Sequence, residues 1–279
     1  MKLHTINTGM FKLDGGAMFG VVPKSMWQKL NPPDENNMCS WAMRCLLIED
    51  GKRLVLIDNG MGNKQDEKFL GHYFLHGNDS LDKSLAALGY LAGDITDVVL
   101  THLHFDHCGG SVQWKNDRSG FELSFPNAQY WMSEAQFNWA YPNPNAREKA
   151  SFLKENILPI YESGQAKLVK PGELVAGMEV LHVYGHTEDM MLPLLSFQGR
   201  KMLYAADLIP SAAHLPLPYV MAYDMRPLQT LEEKNQILTQ AVEEDWIIFL
   251  EHDPKLECIS LQQTEKGVRM DQAFTLADW

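Results

Sequence analysis

Thr101-His102-Leu103-His104-Phe105-Asp106-His107-Cys108-Gly109-Gly110 crowds four metal-competent side chains into six residues and sets two glycines directly after them. Imidazole and carboxylate are good donors to divalent cations. Packing gives no reason to group them so closely, and four ionisable groups this near one another are costly to assemble without a cation among them. The apolar run Val98-Val99-Leu100 leads straight into the cluster, so the donors are expected just past the carboxyl end of a strand.

Three further places repeat that pattern. Val180-Leu181-His182-Val183-Tyr184 reads as a strand, followed by Gly185-His186-Thr187. Met202-Leu203-Tyr204-Ala205 reads as a strand with Asp207 just beyond, and Trp246-Ile247-Ile248-Phe249-Leu250 as one with His252 just beyond. Rigid strands fix loop residues at one rim with little positional freedom.

His102, His104, Asp106 and His107, with His186, Asp207 and His252 following in that order, resemble the metallo-β-lactamase superfamily. More narrowly, they resemble its dinuclear-zinc hydrolases: type II glyoxalases, acyl-homoserine lactonases and the methyl-parathion-hydrolase group. The resemblance runs from Leu3 to the Asp253-Pro254 turn. It implies a four-layer αββα sandwich of the α/β class, read as one domain over residues 1–279 because the proposed ligands come from both halves.

The resemblance also implies a ligand set. His102, His104 and His186 would hold one zinc ion; Asp106, His107 and His252 would hold a second; Asp207 would bridge them. The two ions would lie roughly 3.5–4 Å apart with a hydroxide between them, and Asp106 would also orient the nucleophile or pass a proton to the leaving group. Nitrogen and oxygen ligation also suits iron, manganese or cobalt, with zinc the favoured reading, and a site with one metal is the alternative. Two departures from the family pattern stand out. Pro210 occupies the position where the lactonases carry a tyrosine, three residues after the bridging aspartate, and Glu188-Asp189-Met190 replaces the usual Pro-Gly-His after Gly185-His186-Thr187.

Composition bounds the rest. A net charge of −12, with only short basic pairs such as Lys52-Arg53 and Arg200-Lys201, disfavours nucleic-acid binding and a nuclease role. No apolar run approaches a membrane span, and Met1-Lys2-Leu3-His4-Thr5-Ile6-Asn7 lacks the apolar core of a secretory signal, so a cytoplasmic enzyme is expected. The scattered cysteines Cys39, Cys45, Cys108 and Cys258 indicate neither a disulfide framework nor a thiolate zinc site.

Local signals predict hairpins at Asp50-Gly51 and Gln198-Gly199. Helices are predicted from Ser80 through Leu85 and Leu88 to Gly89, from a capping box at Ser133 and Gln136 through Trp139, and from Arg147 towards Ile160. A capping box at Thr230 and Glu233 opens one more helix, to about Glu244. Glu232-Glu233 and Glu243-Glu244-Asp245 read as a solvated helix face, His72 and His76 as solvated, and His182 as a hydrogen-bonded structural residue.

Two apolar segments bear on the substrate. Gly15-Gly16-Ala17-Met18-Phe19-Gly20-Val21-Val22-Pro23-Lys24 resembles the loop bordering the site in the lactonase-like group, and either receives an acyl chain or packs as an N-terminal hairpin. The loop from Leu208 to Tyr219 follows Asp207, and Tyr219, Tyr223 and His214 are the substrate-contact expectations. The leading expectation is a zinc hydrolase acting on a small ester-like acyl substrate, first an acyl-homoserine lactone, then a glyoxalase-type thioester or a phosphotriester. A non-catalytic metal-binding regulatory module is the alternative of another class, and the apolar loops equally suit a homodimer interface.

Overall fold

Short apolar runs become the strands of two six-stranded sheets, described for residues 1–278 in a computed structural model. The amino-terminal half supplies β1 (Lys2–Asp14), β2 (Met38–Asp50), β3 (Arg53–Ile57), β4 (Asp97–Val99), a separate hairpin of β5 (Val112–Trp114) and β6 (Phe121–Leu123), then β7 (Gln129–Ser133) and β8 (Ala166–Val169). Apart from that hairpin they pair in the order β1-β2-β3-β4-β7-β8, parallel from β3 onward. The second half supplies β9 (Glu179–Val183), β10 (Met190–Phe197), β11 (Arg200–Tyr204), β12 (Ile247–Phe249), β13 (Cys258–Thr264) and β14 (Gly267–Phe274), in the order β14-β13-β12-β11-β10-β9.

The helices are α1 (Gly15–Phe19), α2 (Lys24–Trp27), α3 (Glu67–Gly71), α4 (Leu81–Ala87), α5 (Phe105–Cys108), α6 (Glu134–Ala140), α7 (Lys154–Glu162) and α8 (Pro227–Glu243). No helix among the described residues is long and apolar enough to cross a membrane.

The two-residue alternation of strands explains the layering. Leu46, Ile48, Val55, Ile57 and Val99 point into one apolar cluster shared with the second sheet. Their neighbours Cys45, Leu47, Leu54, Leu56 and Val98 point the other way, onto Leu85 of α4, Phe137 of α6 and Ile157 of α7. Strands buried on both faces read as continuous apolar runs rather than alternating ones. On the far side, α8 contributes Ile237, Leu238 and Ala241 to the cluster around the second sheet. The result is the αββα sandwich that the motif implies.

Both hairpins form: Asp50 pairs with Arg53 across Gly51, and Phe197 pairs with Arg200. Gln198 and Gly199 both take positive φ, 49° and 83°, as the turn that suits twisted strands requires. Ser80 caps α4 and Ser133 caps α6. Gln136 does not complete the box, because its amide turns instead to Thr187 Oγ1 at 3.1 Å and to Glu188 O.

Two helix expectations are corrected. The helix expected from Arg147 begins only at Lys154. Residues 146–151 form turns because Asn145 Oδ1 accepts from the amides of Arg147 and Glu148, while the Glu148 side chain is drawn inward. The helix expected from Thr230 starts a turn earlier, at Pro227, whose fixed φ and missing N–H suit a first helical position. Thr230 and Glu233 therefore lie inside α8. Glu233 is half-buried rather than solvated, accepting from the amides of Tyr184 and Gly185 at 2.8 and 3.0 Å.

Candidate functional site

The strand ends deliver the donors to one place. β4, β9, β11 and β12 stop just before Thr101-His102, His186, Asp207 and His252. The short helix α5 follows β4 at once and adds Asp106 and His107. His102, His104, His186 and Asp207 form one group whose donor atoms all lie within 4.8 Å of one another, and Asp106, His107 and His252 form a second. Asp207 reaches both: its Oδ2 lies 3.0 Å from His186 Nε2, and its Oδ1 3.1 Å from His252 Nε2. Ala206, at φ 41°, holds the turn that aims this carboxylate, a strained conformation for a residue with a Cβ.

The five imidazoles are oriented from outside. His102 Nδ1 lies 3.1 Å from Thr101 Oγ1, whose hydroxyl donates to Asp58 Oδ2. His104 Nε2 faces Glu148 Oε1 at 3.3 Å, and His186 Nδ1 faces Asp224 Oδ1 at 3.0 Å. Asp58 Oδ2 and Glu251 Oε2 each lie 3.1 Å from His107 Nδ1, and Ala42 O lies 2.7 Å from His252 Nδ1.

Each outer nitrogen thus meets an acceptor and carries the proton, which leaves the inner nitrogen of each neutral ring with a lone pair. Those inner nitrogens converge: His102 Nε2 lies 3.0 Å and His186 Nε2 3.2 Å from His104 Nδ1, and His252 Nε2 lies 3.2 Å from His107 Nε2. Lone pairs aimed at one another repel, and Asp207 Oδ1, buried beside them, accepts no hydrogen bond. This donor set fits divalent cations.

The electrostatics follow the same arrangement. Burial, with His107 and His104 beside it, drives His102 well below the usual imidazole range. Burial would also depress His186 and His252, but Asp207 outweighs it and favours a second proton on each, up to about 10 and about 9, and a cation at the inner nitrogens would take the place of that proton. Burial alone would raise Glu148, yet hydrogen bonds from His104, Thr187 and Trp139 hold it at about 2.

A cleft of about 380 Å³ opens onto the cluster, bounded by Met18, Phe105 and Met221 on its apolar side and by Tyr73, Arg147 and Tyr223 on its polar side. Of the expected substrate contacts, Tyr223 lies in this wall. Tyr219 does not: its ring sits edge-on to Phe19 at 6.3 Å. His214 is also elsewhere, fully buried, with Nε2–H donating to Met18 O at 2.9 Å, Nδ1 accepting from Ser211 Oγ at 2.8 Å, and its ring stacked on Phe19. Both nitrogens are spent, and burial pushes its pKa down to about 3, so His214 braces the α1 segment instead of donating to a substrate. That segment opens with the helix α1 rather than a hairpin, and in it Met18 lines the cleft while Phe19 packs against Trp27.

Cys108 points away from the donors, with its thiol donating to Leu103 O, and burial pushes it up to about 12. His182 bonds Asp189 at 2.7 Å as a structural residue, and Asp189 sits at φ 52° where the family pattern is broken.

Sequence reading missed the outer carboxylates Asp58, Glu148, Asp224 and Glu251 and the wall residues Tyr73 and Arg147. Asp58 had a signal, because it ends the run Leu54-Val55-Leu56-Ile57 as the other donors end theirs. It accepts from Thr101 N at 2.8 Å and Thr101 Oγ1 at 2.7 Å besides facing His107. Asp58→Ala is expected to lower metal affinity and turnover by about 10- to 100-fold. Competition against a chromophoric chelator reads the affinity directly, and an unchanged value would show that His107 needs no support from this side.

A family model described as the metallo-β-lactamase superfamily matches residues 44–252. An N-acyl homoserine lactonase of Bacillus sp is 26% identical over 197 residues, covering 67% of this chain and 66% of that protein, just under two thirds of its length. A probable metal-dependent hydrolase from Staphylococcus aureus superposes with a TM-score of 0.88 at 28% identity, over 98% of this chain and 96% of that one. A dizinc quorum-quenching lactonase, solved with a product, superposes with a TM-score of 0.77 at 24% identity, over 98% and 95% of the two chains.

Proposed function

The chain belongs to the metallo-β-lactamase superfamily, and on that premise we propose that it is a metal-dependent hydrolase that opens an acyl lactone or a closely similar small ester. The observation that carries this reading is the convergence of inner imidazole nitrogens and Asp207 at the floor of a cleft with apolar walls. His102, His104 and His186 would hold one divalent cation, Asp106, His107 and His252 would hold a second, and Asp207 lies within reach of both. Two such ions, zinc by preference, would supply Lewis acidity and lower the pKa of water to around 7.

The remaining work belongs to side chains of this chain. Asp106 lines the cleft, with Oδ2 3.8 Å from both His107 Nε2 and His252 Nε2, and is placed to take a proton and pass it to the leaving alkoxide. The hydroxyls of Tyr73 and Tyr223 donate to substrate oxygen, and Leu13, Met18, Phe105 and Met221 receive the acyl part. Tyr73 and Tyr223 both line the cleft, so a tyrosine three residues after Asp207, where Pro210 stands, is not the only source of a hydroxyl there.

Acid release from N-hexanoyl-homoserine lactone, followed with a pH indicator, tests the reading. Zinc-loaded protein is expected to release acid and chelated protein to release none. Absence of release from fully loaded protein would remove the lactone and bring thioesters and phosphotriesters forward.

A further inference from the structure

Arg147 is an exposed cation at the rim of this cleft, with no carboxylate partner among the described residues. The chain carries 24 lysines and arginines against 36 acidic residues, so a cation near the site has carboxylates in excess to choose from. Three of the other six arginines use them: Arg53 pairs with Asp97, Arg200 with Asp245 and Arg226 with Glu188. Among the described residues Arg147 pairs with none. Its Nη2 donates to the carbonyls of Ala222 and Asp224, which ties residue 147 across the mouth of the cleft and leaves Nε and Nη1 free. The adjacent Glu148 cannot neutralise it, because that carboxylate is taken by His104, Thr187, Trp139 and Asn145.

The hydroxyls around it point to the same chemistry. Among the described residues, those of Tyr73, Ser151 and Tyr223 have no protein acceptor and line the same cleft. The wall beyond the metal donors therefore offers N–H and O–H groups and one unpaired positive charge. An uncharged acyl tail uses none of that charge. With Nη2 held by the two carbonyls, the free Nε–H and Nη1–H point to different sides of the guanidinium, and each offers a carboxylate a single charge-assisted hydrogen bond.

We propose that Arg147 is an anion anchor, and that the substrate is an ester or lactone whose acyl part carries a carboxylate beyond the scissile carbonyl. The proposal takes from the preceding reading only that the site hydrolyses esters. Water adds to the ester carbonyl, the bond to the alcohol oxygen breaks, and the alcohol leaves with a proton. The second carboxylate is unchanged throughout and only fixes the acyl chain against the apolar wall.

Phenyl pentanoate and monophenyl glutarate test this, because they share a five-carbon acyl chain and differ only in a terminal methyl or carboxylate. Zinc-loaded protein is expected to favour the glutarate ester in kcat/KM by about tenfold or more, mainly through KM. Arg147→Met should bring the ratio close to unity, and Arg147→Lys should restore part of it. A merely structural clasp would lower both values together and leave the ratio unmoved, which overturns the proposal, as does a wild-type ratio near unity. Equal hydrolysis of both esters thus removes the anchor and leaves the hydrolase standing. If neither ester nor the lactone is hydrolysed, the hydrolase reading fails instead, and thermal stabilisation by glutarate then decides the anchor. Stabilisation of the wild type but not of Arg147→Met supports it, and equal response overturns it.

Discussion

Asp207→Asn is expected to fold, to hold less metal than the parent, and to hydrolyse any substrate of this site on the order of 10³-fold more slowly. The substitution keeps the size of the side chain and removes its charge. One oxygen of Asp207 faces His186 and the other faces His252, so this carboxylate alone belongs to both donor groups. An asparagine offers one acceptor and one N–H₂, and whichever way it turns, it aims a donor at one group and withdraws negative charge from both. Several kcal/mol of stabilisation for charge developing on the substrate is lost with it, and about 4 kcal/mol corresponds to three powers of ten in rate. Metal content by elemental analysis and kcat/KM on the best ester read the two effects separately. Full metal content with unaltered turnover would show that Asp207 is not shared between the groups.

Gly110→Ala is expected to destabilise the fold by about 3 kcal/mol or more, roughly a 10 °C fall in Tm for a chain of this size. A Cβ on Gly110 would sit 2.2 Å from the Asn59 carbonyl oxygen, and one on Gly109 would sit 2.1 Å from that of Met61. Both obstacles are backbone, so no side chain can swing aside. The approach has a purpose: Asn59 N donates to His107 O and Gly110 N donates to Gly60 O, each at 2.9 Å, which locks the motif to the loop that carries Asp58. Gly71 in α3 is the control, with nothing within 4 Å of its added Cβ, and Gly71→Ala should be neutral or slightly stabilising. Thermal melts of the two variants side by side test the contrast. A Gly110→Ala melt matching the control would mean that the two loops separate at little cost.

Much of the candidate site was legible because its signal is local. A strand announces itself within five or six residues, and the donor that follows it lies next in the chain. β4, β9, β11 and β12 needed no knowledge of one another to be read, and neither did the two hairpins or the caps at Ser80 and Ser133. Helix starts were less secure where a nearby side chain had a stronger distant partner. Thr230 and Glu233 imitate a capping box, yet Glu233 serves two amides of the β9 loop. The run after Arg147 has helical composition, yet Glu148 is drawn to His104, and the chain turns to let it reach.

What the sequence by itself determined is the set of donor types and the order in which strands present them, because both depend on neighbours in the chain. Only the tertiary structure decided which ring nitrogen of each histidine faces inward, since that depends on acceptors from remote segments such as Asp58, Glu148 and Asp224. It likewise buried His214 against Phe19, set Tyr219 edge-on to the same ring outside the cleft, and brought Tyr73, Arg147 and Tyr223 to one wall. An apolar loop beside a metal site reads the same whether its polar tips face the cleft or the core. The difference lies in whether a distant backbone carbonyl, such as Met18 O for His214, satisfies the tip first.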